Sequence, residues 1–214
     1  MMFLSQIHLQ PQNPSVRQCL YDAQDMHRSI MALFADDSLD KARKELGVLY
    51  RVYKTPDKTL LYLLSKTPPD KGRLAKGFEM PAPPKSLSAI ISNFNQGQVY
   101  RFDLLASPVK KVASVGKNSK RVFLTDSHQR MDWLNRKADA AGFRVNWMRE
   151  EGQETIRAAL KPHEPTITCM GVRFVGMLTV TDAAKFGKAY TEGIGVQKAY
   201  GFGLLLLAPS EYGT

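Results

Sequence analysis

Near the C-terminus the chain reads Glu192-Gly193-Ile194-Gly195-Val196-Gln197-Lys198-Ala199-Tyr200-Gly201-Phe202-Gly203, followed by the apolar run 204–208. Four glycines within eleven residues allow positive φ angles and a close approach of the backbone to a bulky partner. The N–H groups of such a loop can hold phosphate oxygens, and Lys198 adds positive charge. No Gly-Lys-Ser/Thr sequence closes the loop, and a strand follows where nucleotide-binding loops need a helix. The stretch predicts either a tight connection into a buried strand or a phosphate-contacting loop, and it argues against a mononucleotide site.

The elements before this loop are predicted to form one β-α-β-β-α-β unit. Asp182 is placed to cap a helix that ends at Glu192, and Asp126 or Ser127 to cap a helix that reaches Ala141 and stops at Gly142. Strands are predicted at about 98–106, 143–148, 168–180 and 202–208, and a basic hairpin with its tip at 115–120 follows the first of them. The polar segment 148–165 is predicted to be either a mobile loop or a partner contact.

The first half of the chain repeats this order without the last strand. A strand at 2–10 precedes Asn13-Pro14, a typical N-cap and first residue for a helix running to about Phe34. Strands at 47–54 and 59–65 form a hairpin, and a short helix at about 85–94 follows the proline-rich passage 66–84. The fold class is therefore α+β, with two tandem ferredoxin-like domains at residues 1–95 and 98–214. The first sheet either borrows the strand 98–106 or stays short.

The composition indicates a globular protein that needs no covalent cross-links. Its 214 residues suffice for one large domain or two small ones. Cys19 and Cys169 lie far apart, and neither they nor the four histidines have metal-ligand spacing, so we expect a reducing cytoplasm, no metal and no cofactor. The start of the chain does not resemble a signal peptide, and no apolar run approaches the ~20 residues of a membrane-spanning helix, so no membrane association is expected.

The charge balance favours a polyanionic partner. Thirty Lys and Arg residues against twenty Asp and Glu give a formal net charge of +10, and cationic surfaces bind nucleic acids by releasing counterions. No acidic residue lies between Asp103 and Asp126, whereas the basic residues there are Lys110, Lys111, Lys117, Lys120 and Arg121. This run is either a solvated face or the surface that contacts the polyanion.

His27 is the histidine whose setting best fits catalysis. On a helical wheel for residues 14–34 it lies in an apolar stripe with Met26 and Ile30, next to a polar margin. The margin consists of Gln24, Arg17, Arg28 and Tyr21. The position suits either a core histidine with a backbone partner or a general acid or base, because imidazole exchanges protons near neutral pH and neighbouring cations can hold a phosphate.

Four motifs, in this order, resemble the CRISPR-associated endoribonucleases of the CasE type, the RNA-processing subunit of the type I-E Cascade complex in the RAMP superfamily. They are Met26-His27-Arg28, Tyr100-Arg101-Phe102 with Ser107-Pro108-Val109-Lys110-Lys111, Trp133-Leu134, and the glycine-rich stretch through Leu205. The resemblance covers nearly the whole chain. It implies a metal-independent, site-specific ribonuclease of antiviral defence that cuts precursor CRISPR RNA at the 3′ base of the repeat hairpin and stays bound to the mature guide RNA. It also implies other Cascade subunits as partners, and we expect a monomer when the protein is free of them.

The resemblance implies roles for individual residues. His27 and Arg28 would be catalytic, with Gln24 and Lys198 as further candidates. The implied RNA-binding set is Arg17, Arg101, Lys110, Lys111, Lys117, Lys120, Arg121, Gly193, Gly195, Lys198, Gly201 and Gly203. Some relatives carry a tyrosine three residues before the histidine, where this chain has Gln24. Tyr21 lies about 120° away on the wheel, so we do not expect a phenol to transfer a proton here.

Two alternatives remain open from the sequence. In the first, the protein is a non-catalytic RNA-hairpin-binding subunit of a ribonucleoprotein, and His27 is structural. In the second, the basic hairpin binds DNA.

Overall fold

A computed structural model describes residues 1–34, 44–113, 119–159 and 166–210. The first sheet is built around β1 (Phe3–Leu9), which pairs with β3 (Thr59–Ser65) on one side and with the short strands β4 (Phe78–Glu79) and β5 (Lys85–Ser86) on the other. β2 (Leu49–Lys54) forms the predicted hairpin with β3. All these pairings are antiparallel, and the strand order is β2-β3-β1-β4. The fourth strand therefore comes from the proline-rich passage and is not borrowed from residues 98–106.

The helical segment after β1 is broken, which corrects the prediction of one helix from Pro14 to about Phe34. α1 (Pro14–Tyr21) starts at the predicted Asn13 cap, and α2 (Ala23–Met31) starts at a second cap, Asp22. Asp22 has extended backbone angles, φ −120° and ψ 115°, and its carboxylate accepts a hydrogen bond from the N–H of Gln24. This local bond replaces the helical ladder. Wheel positions on the two sides of Asp22 are therefore not comparable.

The second half of the chain contains a four-stranded sheet and a separate two-stranded ribbon. β6 (Val99–Ala106) lies between β11 (Leu205–Pro209) and β10 (Ile167–Val180), and β9 (Phe143–Ala158) forms the outer edge. β7 (Val109–Val112) and β8 (Lys120–Phe123) form the two-stranded ribbon. If the four strands of each sheet are numbered 1 to 4 in chain order, with the ribbon and β5 left out, both sheets have the strand order 4-1-3-2. The predicted fold class, two tandem ferredoxin-like domains, is confirmed; the boundary at residues 95–98 stays a prediction.

The remaining helices follow the predicted caps with one exception. Asp126 caps α4 (Ser127–Ala140), and Asp182 caps α5 (Ala183–Glu192). The predicted helix at 85–94 is shorter, since β5 takes its first residues and α3 covers only Ser88–Ser92. A further turn of 3-10 helix spans Lys198–Tyr200 in the glycine-rich loop. In the described segments, no helix is long and apolar enough to cross a membrane.

Two strand boundaries differ from the prediction. β9 continues through most of the polar segment to Ala158, because it pairs along β10 as far as Ala158 opposite Ile167. The mobile-loop alternative for 148–165 is therefore wrong for residues 148–158, and the partner-contact alternative stays a prediction. Residues 160–165 lie outside the described part of the chain. The last strand begins at Leu205 rather than Phe202, because the glycines keep the backbone at positive φ as far as Gly203.

The two halves share buried apolar surface. One cluster lies between the first sheet and α1 and α2, with Ile7, Met26 and Ile30 among its members. The larger cluster contains Phe102 and Phe186 from the second half together with Leu49 and Leu64 from the first. Burial of apolar area is the main favourable term in folding, so the first sheet is stabilised by the second half as well as by its own helices.

Candidate nucleic-acid interface

His27 lies in the middle of α2, on a helix that contacts both halves of the protein. Its side chain is half-buried and its Nδ1 is buried, whereas the neighbouring Met26 and Ile30 are in the core. α2 packs against β9 and against the 3-10 helix Lys198–Tyr200. The structure therefore brings the helix of His27 and the loop of Lys198 together, although they are far apart in the sequence.

The polar neighbours of His27 on α2 are held by Asp22 and Asp25. The N–H of Gln24 donates to Oδ1 of Asp22 at 2.8 Å, which fixes the first turn. Arg28 is exposed and pairs with Asp25, with 3.1 Å between Nη1 and Oδ1. Asp25 also accepts a hydrogen bond from Nε2 of Gln18 on α1 at 2.8 Å. Arg28 is thus a solvent-facing cation beside His27.

Arg17 and Tyr21 belong to the other helix of this segment. Both are exposed on α1, before the break at Asp22. The wheel that placed them on one margin with His27 assumed a continuous helix, so that part of the argument is wrong. Tyr21 is 69% exposed and lines a cavity next to α2.

The glycines of the C-terminal loop have positive φ and close neighbours. Gly193, Gly195, Gly201 and Gly203 have φ angles of 79°, 87°, 86° and 89°. A Cβ atom at Gly195 would lie 3.2 Å from the ring of Trp133, and one at Gly201 would lie 3.2 Å from the ring of Tyr50. The predicted close approach of the backbone to a bulky partner is therefore confirmed, and in both cases the partner is an aromatic ring of this chain.

Tyr50 anchors the loop from the first half, and no pattern in the sequence indicates this contact. Its hydroxyl donates a hydrogen bond to the carbonyl oxygen of Ala199 at 3.0 Å. Burial is the main cause that raises the pKa of Tyr50, so the phenol remains protonated and keeps donating. On the other side, the N–H of Gly203 donates to the carbonyl oxygen of Leu105 at 2.8 Å. The loop that carries Lys198 is thus fixed to both halves.

The basic hairpin is a two-stranded ribbon with cations on both faces. Lys111 is directly opposite Arg121, and Lys110 is opposite Val122, so alternation places Lys110 and Lys111 on different faces. The side chains of Lys110, Lys111, Lys120 and Arg121 are exposed. Lys117 lies outside the described residues. Like charges directly across a ribbon repel each other, so the Lys111–Arg121 pair favours a bound anion.

A charged cluster joins the two sheets, and Arg101 lies beside it. Arg173 bonds to Asp103, with 3.1 Å between Nε and Oδ2, and to the hydroxyl of Tyr53, with 3.0 Å from Nη2. Asp103 also pairs with Arg51, whose side chain is only 2% exposed. The hydrogen bond with Asp103 is the main cause that raises the pKa of Arg173. Arg101 is exposed on β6, two residues before Asp103 and therefore on the same face of the sheet.

Within the described part of the chain, no group of three or more His, Cys, Asp or Glu side chains is arranged to hold a metal ion. The protein has two ferredoxin-like domains. The histidine helix, the anchored glycine-rich loop and the basic ribbon form its candidate cationic surface for nucleic acid. Residues 2–209 match the family described as CRISPR associated protein. The chain belongs to that family.

Curated and solved relatives span nearly the whole chain. The CRISPR-associated endoribonuclease Cse3 of Thermus thermophilus is 27% identical over 219 residues, covering 97% of this chain and 100% of its own. The structure of Cse3 bound to a 19-nucleotide RNA has a TM-score of 0.80 at 27% identity and covers 98% of this chain and 100% of its own. Thermus thermophilus Cse3 with an RNA representing a pre-cleavage complex has a TM-score of 0.82 at 27% identity, covering 97% of this chain and 99% of its own. Cas6e from Escherichia coli K-12, at 22% identity and a TM-score of 0.73, covers 97% of this chain and all of its own and shares the fold.

Proposed function

We propose that this protein is an endoribonuclease that cuts precursor CRISPR RNA at the 3′ base of the repeat hairpin and stays bound to the product as a Cascade subunit. The proposal is supported by the family membership and by 27% identity, over 97% of the chain, to a protein named as an endoribonuclease. The observation that carries it is the packing of α2, with His27, against the 3-10 helix that contains Lys198. We infer that this packing brings a proton-exchanging group and a cation to one site from distant parts of the chain.

The reaction uses the RNA's own nucleophile. The ribose 2′ oxygen attacks the adjacent phosphorus, the bond from phosphorus to the 5′ oxygen breaks, and the products are a 2′,3′-cyclic phosphate and a 5′-hydroxyl end. One proton leaves the 2′ oxygen and one is added to the 5′ oxygen. We assign one of these transfers to His27, because a positioned general acid or base contributes typically ~10²–10⁴ in rate. These bond changes and proton transfers are complete without a metal ion.

Cations stabilise the charge that develops on the phosphorane. Arg28 is exposed beside His27 on α2, and Lys198 lies on the 3-10 helix that α2 contacts. Fixed cations at the site of developing charge lower the barrier more than they stabilise the substrate. Gln24, in the first turn of α2, has no proton to exchange and is assigned a positioning role.

The folded stem of the repeat would be held mainly through its phosphates. RNA helices are recognised largely by shape and by backbone contacts. We assign this contact to the described cations of the ribbon, Lys110, Lys111, Lys120 and Arg121, and to Lys117, Arg17 and Arg101, with the loop glycines 193, 195, 201 and 203 allowing the close approach. The ribbon carries these charges on both faces, so it suits insertion between two phosphate rows rather than contact with a flat surface.

We further propose that the protein acts in the cytoplasm. Cys19 and Cys169 are buried and form no disulfide, which is typical of a reducing compartment.

The test is incubation of wild-type protein and His27→Ala with the repeat hairpin RNA in EDTA, alongside the same RNA with 2′-deoxyribose at the cut position. We expect cleavage by wild type alone, a cyclic-phosphate end, no cleavage of the deoxy RNA, and nearly unchanged hairpin affinity in His27→Ala. Cleavage by His27→Ala would reject the role of His27. Binding without cleavage under every condition would instead favour the non-catalytic hairpin-binding subunit, and equal competition by a DNA hairpin would favour DNA binding.

A further inference from the structure

A cavity of about 640 Å³ opens between the two halves, next to α2. Its walls are the end of α1 and the start of α2, strand β2, the far end of β9, and the 3-10 segment of the glycine-rich loop. Cavities of this size hold ligands as large as a drug molecule. The described ribbon cations assigned to stem binding do not line it, although Gly201 of the glycine-rich loop does. The proposed function gives no role to the other lining residues.

The lining of the cavity combines aromatic rings with cations. Tyr21, Tyr53 and Tyr200 present rings. Lys54, Arg157 and Arg173 present positive charge, and Glu154 adds one carboxylate. Tyr21, Lys54 and Arg157 are exposed. Aromatic rings that stack bases, combined with cations that follow the backbone, are the usual features of sites for single-stranded nucleic acid.

A buried arginine in the wall of the cavity has one donor that the described residues do not satisfy. Arg51 lines the cavity with a side chain that is 2% exposed. Its Nη1 bonds to Asp103, whereas its Nε is buried and has no hydrogen-bond partner among the described residues. Buried donors are normally satisfied. Asp103 pairs with both Arg51 and Arg173, and Arg173 also pairs with Glu151. Two carboxylates therefore balance the two guanidinium groups, and Nε of Arg51 is the donor that this cluster leaves unsatisfied.

The cavity is adjacent to the proposed reaction site. Ala23 and Met26 of α2 line it, and Met26 precedes His27 in the sequence. Tyr200, from the same 3-10 helix as Lys198, lines it as well. An RNA strand that passes His27 at the cut phosphate therefore reaches the cavity within a short distance. The strand that continues from that phosphate is the 3′ flank. The 5′ flank leaves the base of the stem from the other paired strand.

We propose that this cavity binds the first unpaired nucleotides on the 3′ side of the cut, with a base stacked on the exposed Tyr21 and a phosphate held by Arg157 and Lys54. The ring of Tyr53 is already covered by the guanidinium groups of Arg51 and Arg173. This inference rests on the proposed function and names a second contact for its substrate. The contact exists in the precursor and is lost on cleavage, because the 3′ fragment is no longer joined to the stem. The cavity thus favours binding of precursor over product and releases the downstream fragment.

The test uses non-cleavable RNAs with 2′-deoxyribose at the cut position and zero, one, two or three unpaired nucleotides on the 3′ side, with a matched series on the 5′ side. We expect the 3′ series to tighten the Kd of wild-type protein about 5- to 10-fold, and the 5′ series to leave it unchanged. In Tyr21→Ala and Arg157→Gln, the Kd for RNA with the 3′ flank should equal the Kd for RNA without it. Tyr21→Trp should bind the flanked RNA more tightly, as wild type does. Arg73→Gln, an exposed arginine on the 3-10 helix Lys71–Arg73 away from the cavity, is the charge-matched control and should do so too.

A spectroscopic readout separates stacking from a general charge effect. 2-Aminopurine placed at the first 3′ position should lose fluorescence on binding to wild type and to Arg73→Gln, and should keep it with Tyr21→Ala. Hairpin binding with no benefit from the 3′ flank, or a benefit from the 5′ flank instead, would overturn this inference and leave the proposed function intact. Failure of wild type to bind any of the hairpins would overturn the proposed function itself.

Discussion

The carboxylate of Asp22 accepts hydrogen bonds from two main-chain N–H groups that lie 135 residues apart, those of Gln24 at 2.8 Å and Ala159 at 3.2 Å. The first bond caps α2, and the second holds the end of β9. Since α2 carries His27, we expect this buried side chain, which is only 9% exposed, to help set the orientation of the histidine relative to the second half.

We expect Asp22→Ala to lower both stability and cleavage. Loss of an N-cap costs about 0.5–2 kcal/mol, and the unpaired N–H of Ala159 adds to the loss, so urea unfolding should show a decrease of about 2 kcal/mol. Asp126→Ala removes the cap of α4, which lies wholly in the second half, and serves as the control with a decrease of about 1 kcal/mol.

Cleavage separates the two variants further. A displaced catalytic group can lower the rate by about 10²-fold, so single-turnover cleavage should fall at least tenfold in Asp22→Ala and little in Asp126→Ala. Asp22→Asn, which keeps an oxygen acceptor, should retain most of both properties. Equal cleavage rates in the two alanine variants would show that Asp22 does not orient His27.

The break at Asp22 also shows why one part of the fold escaped the sequence. Residues 16, 19, 23, 26 and 30 repeat at helical spacing across the break, and nothing local requires it. Asp22 has a local partner, the N–H of Gln24, but its second partner is the N–H of Ala159, 137 residues away. By contrast, the caps at Asn13, Asp126 and Asp182 act within a few residues, and all three were predictable.

The same distinction applies to the candidate site. The glycine-rich loop was predictable because positive φ is a local property of glycine. Its neighbours Tyr50 and Trp133 were not, since they come from β2 and α4. Arg51 lies between Tyr50, which is buried, and Val52, which is half-buried. A cation between apolar residues of a strand is a pattern that could have indicated the cross-sheet cluster.

Buried tyrosines make the protein sensitive to alkali. Tyr190 is 7% exposed, and burial raises its pKa to about 12. An unfolded tyrosine titrates near ~10, so between about pH 10 and 12 the folded state holds the proton more tightly and stability falls as the pH rises. Tyr190→Phe should reduce this fall by about 2–3 kcal/mol, measured by urea unfolding across that range. An unchanged pH dependence in the variant would contradict the assignment.

Gly203 and Gly97 form a matched pair for testing the loop. Their φ angles are 89° and 88°, but a Cβ atom at Gly203 would lie 2.7 Å from the carbonyl oxygen of Ile194, whereas one at Gly97 would have no neighbour within 4 Å. Backbone strain costs both alanine variants about 1–3 kcal/mol. Gly203→Ala should lose a further ~1–3 kcal/mol from the clash.

RNA binding should follow the same difference. The loop of Gly203 is assigned to RNA contact, so the hairpin affinity measured by filter binding should drop in Gly203→Ala and stay near the wild-type value in Gly97→Ala. Similar stability losses in the two variants would show that the loop accommodates the added carbon by moving.

The ribbon makes a prediction about salt. Lys111 and Arg121 are directly opposite each other and both exposed, so each repels the other in the free protein and both can contact phosphate in the complex. Neutralising either one removes one ionic contact, and the slope of log K against log salt concentration should become shallower by about 0.7–0.9. Stability should not fall, because the repulsion is removed with the charge.

Lys188→Gln, at an exposed position on α5, changes the net charge equally and should leave the slope unchanged. The slope is the decisive measurement, because a change of net charge alone alters long-range attraction without removing a phosphate contact. Equal slopes in Lys111→Gln, Arg121→Gln and Lys188→Gln would show that the ribbon attracts RNA without touching it.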